Sequence, residues 1–134
     1  MSQIIIDECN VNKVHLVGKV VSDIVLSQTN EKKIPVLNFK LRTKQYVGST
    51  GKVITQIHRI VCWNDLARDV VKRIRQNMTV EVFGEITNRK YETKDAESGN
   101  PVIVALSEIK AFRVTPFKGR IRKTFETKES EAEK

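Results

Sequence analysis

The chain has 134 residues, enough for one domain around a single modest core. Apolar residues make up 40% and charged residues 30%, an ordinary soluble composition that excludes a disordered polymer. Lysine and arginine number 24 against 16 aspartate and glutamate, and the resulting +8 suits a small domain that meets a polyanion. A surplus that merely prevents aggregation would give the same total, so the placement of the charges has to decide.

Cys9 and Cys62 stand far apart, and with only His15 and His58 beside them no spacing suits a zinc site. They read as reduced, partly buried thiols in a reducing compartment. No apolar run reaches membrane-spanning length, and the N-terminus lacks the basic-then-apolar order of a signal peptide. The expected location is therefore cytoplasmic, or the mitochondrial matrix for a processed form.

In chain order, residues 1–11 read as an N-terminal arm. Val14, Leu16, Gly18 and Val20 share one parity of a first strand, with Lys13, His15 and Lys19 on the other; Gly18 suggests a bulge or sharp coil. Gln28 to Lys33 form a polar turn. Leu37, Phe39 and Leu41 then alternate with Asn38, Lys40, Arg42 and Lys44, a half-buried second strand with a cationic outer face. Gly48 to Gly51 mark a loop tip, and a third strand runs from about Val53 to Trp63. Asn64 or Asp65 is expected to cap a helix that places Leu66, Ala67, Val70, Val71 and Ile74 on one face, with Asn77 as a left-handed stop. A fourth strand covers Met78 to Ile86, Asn88 to Asn100 read as a long polar hairpin arm, and Val102 to Phe112 give a fifth strand.

Five strands with one helix between the third and fourth is the order of an all-β, Greek-key OB barrel, expected over residues 12–115. Residues 116–134 read as a mobile tail, first basic (Lys118 to Lys123) and then of mixed charge.

A sequence-tolerant single-strand binder needs cations along the backbone and flat side chains on which bases stack. Lys40, Arg42 and Lys44 supply a cationic row on the second strand; Ile57, Arg59 and Trp63 share one parity of the third. Tyr46 follows Lys44 at a loop, and Tyr91 follows Arg89 and Lys90 at the base of the polar arm. The blander reading makes Trp63 a core residue, the tyrosines hydroxyl-anchored loop residues, the cations a solvated face and Phe117 a docked tail residue. The register of Trp63 with Arg59, close to the cationic strand, favours a nucleic-acid path. No constellation suggests a nucleophile, a phosphate-binding glycine loop or a metal-binding carboxylate cluster, so neither catalysis nor a cofactor is expected.

Asn12-Lys13-Val14-His15-Leu16-Val17-Gly18, then His58-Arg59-Ile60-Val61-Cys62-Trp63, then Val80 to Tyr91 resemble, in order, the opening strand, third strand and fourth strand of bacterial and mitochondrial single-stranded DNA-binding proteins. The likeness covers about residues 12 to 112. It implies a homotetramer, with a dimer as the alternative, whose stacking positions match Tyr46, Ile57, Trp63 and Tyr91. Ile57 departs, since the family commonly has tryptophan there; His58 matches a position near subunit contacts. The resemblance also implies an acidic recruitment tip, which Glu131-Ala132-Glu133-Lys134 does not match, so protein partners stay open and an organellar, phage, mobile-element or specialised member is suggested. The expected partner is single-stranded DNA. A primosome-like adaptor that mainly holds another protein is the alternative, and RNA binding a third.

Overall fold

The computed structural model describes residues 10–119; the N-terminal arm up to residue 9, Cys9 and the tail from residue 120 lie outside the described residues. Seven elements follow one another: β1 (Val14–Val20), β2 (Val25–Gln28), β3 (Pro35–Val47), β4 (Lys52–Trp63), α1 (Asn64–Arg73), β5 (Thr79–Lys94) and β6 (Pro101–Pro116). The strands form one sheet in the order β1-β5-β6-β4-β3-β2, and a further β1–β3 pairing closes it. β1, β3, β4, β5 and β6 thus make a closed five-stranded barrel with the helix between β4 and β5, the arrangement of an OB fold. β4 and β6 run parallel at Ile60↔Ile109 and Val61↔Lys110; the other pairings are antiparallel.

Alternation explains which side chains meet inside. Leu37, Phe39 and Leu41 on β3 are buried, as are Ile60 and Cys62 on β4 and Val80 and Val82 on β5. Val20, Ile109, Ala111 and Val114 complete the cluster from β1 and β6. Closure demands a very near approach at the β1–β3 seam. A Cβ on Gly18 would strike the carbonyl oxygen of Arg42, so only glycine lets Lys19 pair with Arg42 and Val20 with Leu41. Gly84 answers the same need beside the irregularity of β5 and β6 at Phe83 and Gly84, where its Cβ would meet the Lys110 carbonyl oxygen.

Helix α1 packs against β3, β4, β6 and β2 through the buried Ala67, Val70 and Ile74, with Leu66 and Val71 partly buried beside them. The expected side-chain cap does not form. Trp63 occupies the cap position in extended geometry with no side-chain hydrogen bond, and Asn64 turns the chain at φ 58°, a left-handed value asparagine tolerates. The Asp65 carboxylate accepts instead from Arg68 at 2.9 Å. Arg73 donates to Asp69 at 2.6 Å and to the Val114 carbonyl at 2.9 Å, tying the last turn to β6. The Arg73 hydrogen bond holds the Asp69 carboxyl below its ordinary range. Asn77 does adopt positive φ, 76°, but four residues beyond the helix end, where its N–H donates to the Val20 carbonyl.

Two elements exceed the sequence reading. β2 is an added short strand, and its four residues are exposed, so no burial alternation announced it. It takes up pairing with β3 (Val25↔Asn38 to Gln28↔Pro35) after β1 leaves at Val20, so the two together flank the first part of β3, up to Arg42. The polar arm expected over Asn88 to Asn100 is a continuation of the sheet: β5 and β6 stay paired out to Lys94↔Pro101.

Candidate nucleic-acid interface

Directly opposed residues of an antiparallel pair share a face. The register of β3 with β4 opposes Trp63 to Val36, Val61 to Asn38, Arg59 to Lys40, Ile57 to Arg42, Thr55 to Lys44 and Val53 to Tyr46. The partners on the other parity, Leu37, Leu41, Ile60 and Cys62, are buried, so this set takes the outer parity, on which Val61 alone is covered, at 6% exposed. Seven of the ten residues singled out in the sequence, Lys40, Arg42, Lys44, Tyr46, Ile57, Arg59 and Trp63, therefore lie on one continuous outer face.

Its centre is a groove of about 480 Å³ lined by Asn38, Lys40, Arg59, Arg89 and Glu108, with Ser22, Asp23 and Val25 along one margin. The bend between β1 and β2 is fastened here: the Lys40 N–H donates to Ser22 Oγ at 2.8 Å, and the Val21 N–H to the Lys40 carbonyl at 2.9 Å. Arg89 reaches the groove from the β5–β6 arm, where it, Tyr91 and Glu108 share a parity. Its guanidinium donates to Glu108 at 3.1 Å; the arginine side chain is 61% exposed, the glutamate 11%. Lys40 and Arg59 join no ion pair among the described residues. Two cations directly across a strand pair repel, and neither of the carboxylates that line the groove, Asp23 and Glu108, forms an ion pair with them.

The aromatic residues sit apart from this centre. Trp63, 38% exposed at the helix end of the face, is not a core residue. Tyr46 lies ten positions from Val36 along β3, some ~33 Å at strand spacing, near the β3–β4 hairpin tip. Tyr91 stands on the β5–β6 arm, 44% exposed. Ile57, 53% exposed beside Arg42, gives an aliphatic surface between the ends. Lys90 is exposed on the opposite parity of the arm from Arg89 and Tyr91, so the structure does not bring it to the groove. His58 faces away from Arg59 and bonds Thr43 Oγ1 through Nε2 at 2.8 Å.

Sequence reasoning missed Ser22, Asp23, Asn38 and Glu108. Asn38 was visible on the cationic parity of β3. Glu108 was not, because its partner lies nineteen residues away across a hairpin whose register no local pattern gives. Cys62 is a free, fully buried thiol, and burial pushes its pKa up to about 12, so it is inert near neutrality. Among the described residues no group of His, Cys, Asp and Glu is placed to hold a metal ion, and no helix is long and apolar enough to cross a membrane.

Residues 11–112 match the profile of the Single-strand binding protein family. Among curated relatives, a protein named single-stranded DNA-binding protein from Caldanaerobacter subterraneus subsp. tengcongensis is 34% identical over 90 residues, covering 66% of this chain and 57% of that protein. Another, named single-stranded DNA-binding protein 2, from Chlorobaculum tepidum, is 30% identical over 107 residues, covering 78% of this chain and 69% of that protein. The matched stretch thus spans little more than half the length of the first relative.

Proposed function

This chain belongs to the single-strand binding protein family, and from that premise we propose that it coats single-stranded DNA without sequence preference during replication, recombination or repair, acting by binding alone. The observation that carries the reading is the Lys40–Arg59 pair at the centre of the β3–β4 face. A phosphate backbone laid along that face supplies the negative charge the pair lacks, and Trp63, Ile57 and Tyr46 offer surfaces to unstacked bases. Bases inside a duplex present no such faces, which gives the preference for single strands.

The test is fluorescence. Trp63 is the sole tryptophan, so quenching on titration with oligothymidylate has one source. The expected result is quenching by the single strand, weakened by salt and absent with duplex. Equal affinity for duplex and single strand at moderate salt overturns the reading.

The proposed assembly is a homotetramer. Its support is β1, which pairs with β5 from Val14 to Lys19 but meets β3 only at Lys19 and Val20, leaving Val14 to Gly18 without a second neighbouring strand among the described residues. Such an edge suits pairing with another copy. Light scattering that returns a monomer at working concentration rejects it.

A further inference from the structure

The cationic surface continues past β3. At the closure seam Lys19 of β1 lies directly opposite Arg42, and Arg42 lies opposite Ile57, so one row of side chains crosses three strands on the outer face. Over the seam runs a second groove of about 490 Å³, lined by Lys19, Arg42, Lys44, Thr79 and Phe117, with Gly18 also on its wall. Among the described residues no carboxylate lines it, and none of its three strand cations is engaged in an ion pair. Lys19 against Arg42 is a second like-charge pair across strands, unfavourable unless an anion lies between the two. Phe117 is partly buried, and its main chain is tied to the start of β5 by its N–H donating to the Thr79 carbonyl at 2.9 Å, which brings its ring to this groove. The groove therefore combines three unpaired cations with one positioned aromatic ring.

We propose that this seam groove is a second segment of the nucleic-acid path: a strand leaving the β3–β4 face at Arg42 crosses the seam with its phosphates on Lys19, Arg42 and Lys44 and a sugar or base against Phe117. The proposal rests on the single-strand reading above and adds Lys19 and Phe117 to the binding residues. It also sets a length dependence. A strand short enough for the central face ignores the seam, and a longer one uses both.

The full chain and two variants, Lys19→Gln and Phe117→Ala, are titrated with a short oligothymidylate of about five nucleotides and a long one of about fifteen, within the ~4–16 nucleotides one OB fold covers. Trp63 quenching is the signal, and melting curves confirm that both variants keep the fold. The long strand binds the unaltered chain more tightly than the short one. Phe117→Ala is expected to weaken the long strand about fivefold or more and leave the short one unchanged. Lys19→Gln is expected to lower the salt slope for the long strand by ~0.7. Variants that match the unaltered chain on both lengths overturn the seam groove while the central face stands. If the unaltered chain is quenched by neither length, the single-strand reading falls and takes the groove with it.

Discussion

On the outer face of β3 and β4, Lys40 lies against Arg59 and neither is paired; on the outer face of β1 and β5, His15 bonds Glu81 at 2.7 Å and its ring stacks on Phe83 at 4.3 Å, nearly parallel. Arg113 lies over the same Phe83 ring at 5.9 Å. The same strand alternation builds both faces, yet one answers its polar groups internally and the other leaves like charges facing each other. Such repulsion costs a small domain stability it has little of, unless an external anion offsets it. The contrast supports the proposed binding face by what the fold has declined to neutralise, where net charge alone could not.

The largest effect expected is at the centre of that contrast. Replacing Lys40 and Arg59 together by glutamine should reduce affinity for oligothymidylate on the order of a hundredfold, taking charge-assisted contacts at about 1.5 kcal/mol each. The salt slope should fall by ~1.4 for two lost phosphate contacts. The same change should raise the stability of the free protein by roughly 0.2–1 kcal/mol, since it removes the cross-strand repulsion. Calorimetry and titration of one double variant check both signs. Unchanged affinity together with raised stability would mean that the pair is an ordinary solvated face.

A smaller gain is expected from Ile57→Trp. The residue is exposed and sits directly opposite Arg42 on the proposed binding face, so an indole there has space and a neighbouring cation. A new stacking surface worth ~1–3 kcal/mol per base corresponds to at least about a fivefold rise in affinity. Because it adds a second tryptophan, binding is better followed by anisotropy of a labelled strand. No gain would place the strand's path elsewhere on the face.

Arg89→Gln should do less to binding than loss of Lys40, because part of the Arg89 charge already answers Glu108. The expected loss is a few-fold in affinity, with ~1 kcal/mol of stability lost as the largely buried Glu108 carboxylate gives up its partner. Adding Glu108→Gln to that variant should recover most of the stability and little of the affinity. If the single Arg89 variant binds as poorly as the Lys40–Arg59 double variant, the Glu108 contact does not hold the guanidinium back from the strand.

How much of this the sequence carried depends on whether the signal was local. On β3 each apolar residue of Leu37, Phe39 and Leu41 is followed by a polar one, and the burial follows that alternation, so the strand, its cationic face and its place in the barrel were legible. Gly18 signalled the sharp coil because only a glycine admits the Arg42 carbonyl so close. β2 was not legible, since its exposed residues carry no period. The helix start was misread because Asn64 met its need with a left-handed turn instead of a capping bond. Within the site, parity on single strands points to Lys40, Arg42, Lys44, Ile57, Arg59 and Trp63, and adjacency in sequence to Tyr46, Arg89, Lys90 and Tyr91. Parity put Lys40, Arg42 and Arg59 on one face correctly, but it was silent on cross-strand register. Register is what brings Glu108 to Arg89 and Lys19 to Arg42, and what turns Lys90 away.

The smallest effect expected is the one that holds the comparison together. His15→Gln removes a ring stacked on Phe83 and a hydrogen bond to Glu81, so the protein should lose about 1 kcal/mol of stability. Its affinity for a short oligothymidylate and its salt slope should not move, because Glu81 and the Phe83 ring already answer His15 and a short strand does not reach Lys19 at the seam. The measurement is a salt titration of the variant beside the unaltered chain, both confirmed folded by melting. A slope lowered by ~0.7 would make His15 a phosphate contact. The polar groups of β1 and β5 would then be as open to the strand as those of β3 and β4, and internal neutralisation would cease to separate the binding face from the rest of the barrel.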